Sequence, residues 1–425
     1  MDFRLRLALK LEQLRRRNLK TLHPLQQLFW ESTLRCNVHC LHCGSDCVSS
    51  VTQPDMPAED FLHVIDTEVT PHVDPHKVLI IISGGEPLMR KDLEQVGRAL
   101  YDRGYPWGMV TNGLALTEER FRTLRNAGLR SMAISLDGLK EDHVWLRQHP
   151  LAFDGACRAI RLAAGEKDLA WDVVTCANQR NIDHLGEIRD LIWSLGARDW
   201  RVFGIDPMGR AAQHPELILT DGQFRQLMDF IVSEREAGRH VSYSCEGFLG
   251  DYEGKVRDHL YQCAAGLSIA SILIDGSISA CTSIRGKYYQ GNIYKDSFWD
   301  VWENGFRQYR NRDCESDGRK KEGNGIYQLC SALENNALLA TQDMLYLGSY
   351  GGGLFGIDLY NRQVSNDPLY SIKKKYGTAS INSIYEDDSQ PVFWLALAGY
   401  GLIQYNIHTG RYYSYKDITA LAAYY

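Results

Sequence analysis

The chain has 425 residues, 44% of them hydrophobic and 24% charged, with a formal net charge of −6. These proportions suit a soluble protein of roughly two or three domains with a substantial core. They exclude a global basic field of the kind that binds nucleic acid. The longest apolar runs, such as residues 78–82, fall far short of the ~18 residues of a membrane span.

The N-terminus differs in character. Arg4, Arg6, Lys10, Arg15, Arg16, Arg17 and Lys20 are interleaved with Leu5, Leu7, Leu9, Leu11 and Leu14. The uninterrupted apolar core of a secretory signal, ~7–15 residues, is missing. A basic amphipathic helix over residues 1–27, packed on its own domain, is the expectation, with a transit peptide or membrane-surface helix as the alternative. Eleven cysteines, an odd number, argue against a disulfide framework and for metal binding in a reducing, cytoplasmic compartment.

Residues 28–237 alternate between two patterns. β-rich runs fall at 28–34, 78–83, 107–110, 131–136, 171–176 and 200–205. Helical patterns fall at 58–69, 93–103, 118–127, 153–164, 184–195 and 221–237. Strands followed by helices imply a parallel sheet with helical crossovers. Six such units are fewer than the eight of a closed TIM barrel, so an α/β fold with a partial (β/α)6 barrel is expected. Its ligands belong at the C-terminal ends of the strands. Cys36, Gly84-Gly85-Glu86-Pro87, Thr111-Asn112-Gly113, Asp137-Gly138 and Pro207-Met208-Gly209-Arg210 all sit there.

Residues 238–330 lose the alternation and gather Cys245, Cys263, Cys281, Cys314 and Cys330, which suggests a smaller, loop-rich domain. Cys157 and Cys176 fall in a helix and a strand and are expected in the core. The tail, 331–425, is β-rich. Leu345-Tyr346-Leu347-Gly348 recurs loosely 48 residues later as Phe393-Trp394-Leu395-Ala396, a period that suits propeller blades.

The chemistry concentrates in Cys36-Asn37-Val38-His39-Cys40-Leu41-His42-Cys43, a C-x3-C-x2-C loop. Three close thiolates can hold three irons of a 4Fe–4S cube and leave the fourth open. A zinc site wants a fourth protein ligand, which Cys47, His39 or His42 could supply. Gly84-Gly85, free of Cβ atoms, allows backbone to approach a ligand; a plain tight turn is the alternative.

With C-x3-C-x2-C after the first strand and Gly-Gly-Glu-Pro after the second, residues 28–330 resemble the radical S-adenosylmethionine (SAM) superfamily. The resemblance implies that Cys36, Cys40 and Cys43 ligate three irons and that SAM chelates the fourth. It places His42 near adenine, where the family usually carries another aromatic. Gly84, Gly85 and Glu86 would line the SAM amino group. Asn112, Ser135 and Asp137 would approach its ribose or methionine moiety, and Arg147 its carboxylate. It further implies an electron donor such as flavodoxin or ferredoxin, reductive cleavage of SAM, and hydrogen abstraction by a 5′-deoxyadenosyl radical.

The spacing from Cys263 to Cys281 through Asp275-Gly276, with Gly291-Asn292-Ile293, Val301-Trp302-Glu303-Asn304 and Pro207-Met208-Gly209-Arg210-Ala211, resembles the auxiliary-cluster domain called SPASM. That domain's second half is incomplete here. One auxiliary cluster on Cys263 and Cys281, completed by Cys245, Cys314 or Cys330, is what the resemblance implies; buried apolar cysteines are the alternative. The text from Cys245 looks most like a Bacteroidetes subgroup associated with a lipoprotein, which suggests a peptide or protein substrate. A small molecule such as a tetrapyrrole is the second expectation, and a non-catalytic iron–sulfur or zinc protein with an interaction tail is the third. The tail resembles sensor propellers of two-component regulators. Its start near residue 330 is expected to mark a fusion, a truncated neighbour or an assembly join, or else a genuine two-repeat binding module.

Overall fold

The computed structural model describes residues 18–244, residues 249–310 apart from 250–251, 253, 259–262 and 283–287, and strands and adjoining residues between 337 and 415. Most of the basic N-terminal segment, residues 1–17, lies outside the described residues, as do Cys245, Cys314 and Cys330. Residues 18–22 are helical.

One ten-stranded sheet organises residues 14–310, the larger of two compact units. Its strands are β1 (Gln27–Thr33), β2 (Leu79–Gly84), β3 (Trp107–Thr111), β4 (Leu129–Ser135), β5 (Ala170–Cys176), β6 (Asp199–Phe203), β7 (His240–Tyr243), β8 (Ile269–Ile272), β9 (Ser277–Ser279) and β10 (Gly291–Asn292). Their order is β10-β9-β8-β1-β2-β3-β4-β5-β6-β7. From β8 to β7 every neighbouring pair is parallel. β7 and β10 are the two edges, so the sheet is an open, partial barrel. Each of β1 to β6 lies within two residues of the position its β-rich run marks.

The helices that return the chain are α1 (Ala58–Val64), α2 (Leu93–Asp102), α3 (Glu118–Asn126), α4 (Lys140–Arg147), α5 (Ala152–Ala164), α6 (Leu185–Ser194) and α7 (Asp221–Glu236). α1 continues into a wider turn, Ile65–Val69. α3 starts on Thr117, whose hydroxyl accepts from Arg120 N, and α7 starts on a Thr220/Gln223 capping box. Both devices satisfy first-turn N–H groups that have no partner inside the helix. α4 answers to no sequence expectation and carries Arg147.

The core lies between helices and sheet, with Trp30, Trp107 and Trp200 at or near zero exposure. Trp107 is held at both ends. Its Nε1 donates to Ala127 O at 3.1 Å, and its ring lies where a Cβ on Gly97 of α2 would be, 2.2 Å from Cζ2. The indole cannot withdraw without losing that hydrogen bond. Gly97→Ala is therefore expected to lower unfolding stability by ~1–3 kcal/mol, despite alanine's better helix propensity; urea denaturation measures it, and a stabilised variant would contradict this packing.

Beyond residue 238 the chain stays on the same sheet. β8 lies against the outer edge of β1, and the β8–β9 hairpin turns through Gly276, at φ +83°. Ile274 N donates to the buried Glu31 of β1 at 3.2 Å. In the second unit, residues 337–415 hold two four-stranded antiparallel sheets in simple sequential order, Ala337–Ala340 to Val364–Ser365 and Ile381–Glu386 to Tyr412–Tyr415. The 48-residue repeat sets Met344–Ser349 against Val392–Leu397 as equivalent strands. Among the described residues no helix is long and apolar enough to cross a membrane.

Candidate active site

The cysteine loop leaves the C-terminal end of β1 and is fixed at its root by β2. Gly85 N donates to Thr33 O at 2.7 Å and Glu86 N to Arg35 O at 2.9 Å. A Cβ on Gly84 would lie 2.1 Å from Thr33 O, and one on Gly85 2.3 Å from Arg35 O. The glycine pair is thus needed by the chain itself, because β1's exit runs directly over it. Arg35 pairs with Asp55, which also accepts from Thr33 Oγ1 at 2.6 Å. The loop then closes on itself, with Cys36 N donating to Val48 O at 2.9 Å.

The three sulfurs of Cys36, Cys40 and Cys43 each receive an N–H from a different direction. Asn112 Nδ2, after β3, lies 3.8 Å from Cys36 Sγ. Arg147 Nη1, at the end of α4, lies 3.5 Å from Cys40 Sγ. Cys47 N lies 3.4 Å from Cys43 Sγ. Donors aimed at sulfur stabilise thiolate and the negative charge of a metal–thiolate group. Burial pushes the Cys36 thiol up to about 12 and raises Cys40, whereas the hydrogen bond from Cys47 holds Cys43 down at about 5.

The side chains that the strands deliver around this loop form one hydrogen-bonded system. Glu86 is buried; its Oε1 accepts from Thr111 Oγ1 at 2.7 Å and Leu88 N at 3.2 Å, and its Oε2 from Asn112 N at 2.7 Å. Burial raises its pKa, against those donors. Asn112 Nδ2 also reaches Asn37 Oδ1 at 2.8 Å. Ser135 ends β4, half-buried.

Asp137 is fully buried and accepts from Arg147 Nε at 2.6 Å and Cys176 N at 2.9 Å. Burial opposes its ionisation, but the Arg147 charge, the neighbouring imidazoles and the Arg147 hydrogen bond together outweigh burial and hold the carboxyl well below the usual carboxylate range. His42 Nδ1 is buried with no hydrogen-bond partner among the described residues, and burial lowers the ring's pKa to about 4, so it stands neutral. His42, Asp137 and Cys176 bring a ring nitrogen, a carboxylate oxygen and a sulfur within 4.8 Å of one another.

Sequence reasoning overlooked three contributors. His143 Nδ1 accepts from Asp137 N at 2.9 Å, and Asn181 Nδ2 donates to Asp137 O at 2.6 Å. Arg90, buried, donates to Ser32 O at 2.7 Å and Met56 O at 3.0 Å. None belongs to a local motif; only the fold gathers them. The second cysteine group is partly in view: Cys263 and Cys281 both pack on the main core, half-buried. Cys157 is buried in α5 and Cys176 ends β5. None of the described cysteines is in a disulfide.

Residues 30–192 match the radical SAM superfamily, and residues 263–332 match SPASM, an iron–sulfur cluster-binding domain. An AdoMet-dependent heme synthase of Methanosarcina barkeri is 29% identical over 332 residues, covering 74% of this chain and 93% of its own. Mycofactocin maturase MftC of Mycolicibacterium smegmatis is 30% identical, over 67% of this chain and 72% of its own. The solved structure of anSMEcpe with bound AdoMet and the Kp18Cys peptide shares the fold, with a TM-score of 0.54 at 18% identity over 67% of this chain and 82% of that one. The cysteine loop on β1, the glycine pair on β2 and these matches converge: the chain belongs to the radical SAM superfamily and is an enzyme of it with a SPASM-type iron–sulfur domain.

Proposed function

We propose that Cys36, Cys40 and Cys43 hold the 4Fe–4S cluster of this enzyme, and that it removes a hydrogen atom from a peptide or protein substrate. The observation that carries the assignment is the N–H donor at each of the three sulfurs, supplied by Asn112, Arg147 and Cys47. The residues fit the group: three thiols on one loop, a buried cation beside Cys40 and an unpartnered ring nitrogen on His42. When bound, the reduced cluster would supply one electron to the C5′–S bond of SAM, giving methionine and the 5′-deoxyadenosyl radical that takes the substrate hydrogen.

The chain's own contribution is holding and shielding. Asn112 and Arg147 damp the negative charge at two sulfurs. His42, Gly84, Gly85, Glu86, Ser135 and Asp137 wall the space beside the loop where SAM binds. The neutral His42 ring can donate or accept one hydrogen bond there without adding charge. The barrel of residues 28–237 does this work; residues 238–330 carry one auxiliary cluster on Cys263 and Cys281 with a further cysteine.

A peptide or protein substrate is supported by the maturase relative. The second reading, a tetrapyrrole, is favoured by the heme synthase relative, whose match extends over nearly its whole length. The Bacteroidetes lipoprotein-linked subgroup fits the first reading. A tail of two propeller-like repeats is supported by the two successive four-stranded sheets.

The test is anaerobic reconstitution with SAM and dithionite. 5′-Deoxyadenosine must form; its absence from a fully iron-loaded protein removes the proposed reaction. Mass change in candidate peptides, against candidate iron porphyrins, then separates the two substrates.

A further inference from the structure

The motif Pro207-Met208-Gly209-Arg210 follows β6, far in sequence from the cysteines, yet it lies on their loop. Arg210 is 8% exposed. Its Nε donates to Cys40 O at 2.8 Å, and its Nη1 to Cys47 O at 3.0 Å and Asp46 Oδ1 at 2.7 Å. Its own backbone N donates to Cys43 O at 3.0 Å. One residue therefore pins the start, middle and end of the segment from Cys40 to Cys47.

The preceding residue makes that approach feasible. Gly209 has φ +56°, and a Cβ there would lie 2.4 Å from Cys43 O and 2.5 Å from Gly44 O. Backbone rests directly on backbone. The following residue, Ala211, is buried with Leu146, Ile205 and Leu217, so the arginine springs from a packed support.

The electrostatics need a reason. Burying a guanidinium is costly unless charge or hydrogen bonds compensate it. The single acid paired with Arg210 among the described residues, Asp46, has a side chain 68% exposed, so that attraction is weak. Two carbonyls of the cysteine loop are its other partners. Negative charge on the cysteine loop that Arg210 clamps would supply the missing compensation.

We propose that Arg210 is a positioning residue for the cluster: it holds the cysteine loop in its ligating shape and places a fixed positive charge beside the iron–sulfur group. The proposal rests on the assignment of Cys36, Cys40 and Cys43 as ligands. The planar fork sets the loop's shape and the charge sets the potential, so the two roles can be separated. Lysine keeps the charge but lacks the fork. Gly209→Ala disturbs the contact and keeps the charge.

The experiment uses the full chain, reconstituted anaerobically, and reads two quantities: the rate of iron loss to excess EDTA, and the midpoint potential of the electron-paramagnetic-resonance signal that a Cys36/Cys40/Cys43→Ala triple variant lacks. Arg210→Met is expected to lose iron about tenfold faster or more, as for other removals of groups that orient ligands, and to shift the potential to more negative values. Arg210→Lys and Gly209→Ala are expected to show the faster loss with a potential near wild type. Wild-type iron loss and potential in Arg210→Met would overturn the clamp, and so would a potential in Arg210→Lys displaced as far as in Arg210→Met. If the triple variant retains the wild-type iron content and signal, it is the ligand assignment that has failed.

Discussion

Cys40→Ala is expected to lower iron content by about four atoms per chain, one 4Fe–4S unit, and to reduce 5′-deoxyadenosine formation to background. The basis is the environment of the sulfur. Cys40 is 6% exposed, and its Sγ lies 3.5 Å from the buried Arg147. Alanine leaves that cation facing a methyl group and removes one of the three thiolates proposed to bind the cluster. The informative companion is Cys47→Ala. Cys47 is buried beside Cys43, and its thiol donates to Ser45 O at 3.8 Å. Its backbone N also donates to Cys43 Sγ at 3.4 Å, and alanine keeps that N–H. Cys47→Ala is therefore expected to keep its iron and its SAM cleavage. A tetrahedral zinc site built on four thiolates would behave in the opposite way, since losing any one of them opens it. Metal analysis of the two variants side by side decides between the two sites.

Asp137→Asn is expected to destabilise the apoprotein by ~3–5 kcal/mol, the usual cost of stranding one half of a buried ion pair. Asp137 and Arg147 have side chains 0% and 10% exposed. The amide would keep one acceptor for two donors, Arg147 Nε and Cys176 N. Because the folded carboxyl titrates below its ordinary value of 3.8, the stability it contributes is present above about pH 4 and is lost as pH falls through the folded value. At neutral pH the full effect should appear. Urea denaturation of metal-free protein measures it without the cluster. The double variant Asp137→Asn/Arg147→Met should recover much of the loss, because no unpaired charge remains. A single-variant loss below ~1 kcal/mol would mean that water or a shifted side chain already compensates Arg147.

Much of the barrel was legible because its signals are local. β-rich runs punctuated by glycine and asparagine, with amphipathic segments between them, place β1 to β6 within two residues of their ends. α4 was not legible: Lys140-Glu141-Asp142-His143 opens it with four polar residues, and its eight residues complete barely two turns. β7 and β8 are four residues each, and β8 pairs with β1, which lies far earlier in the chain. No sequence window contains that pairing. The cysteine loop was legible as chemistry, whereas its support was not. Asn112, Arg147, His143, Asn181 and Arg210 converge from four separate stretches of chain, and their convergence follows from parallel strands ending at one mouth. For Gly84 and Gly85 the sequence suggested room for a ligand. The structure adds a demand from the chain itself, the passage of β1's exit across their backbone.

The pairing of β8 with β1 has a consequence for biosynthesis. β1 lies between β2 and β8, and β8 ends at Ile272, some 240 residues after β1 begins. During translation the outer edge of β1 waits for most of the chain to emerge from the ribosome, because so distant a contact cannot close earlier. Glu31 waits with it for Ile274. The segment carrying the three thiols grows directly out of that waiting strand. That segment therefore gains its final surroundings only after residue 274 has been made.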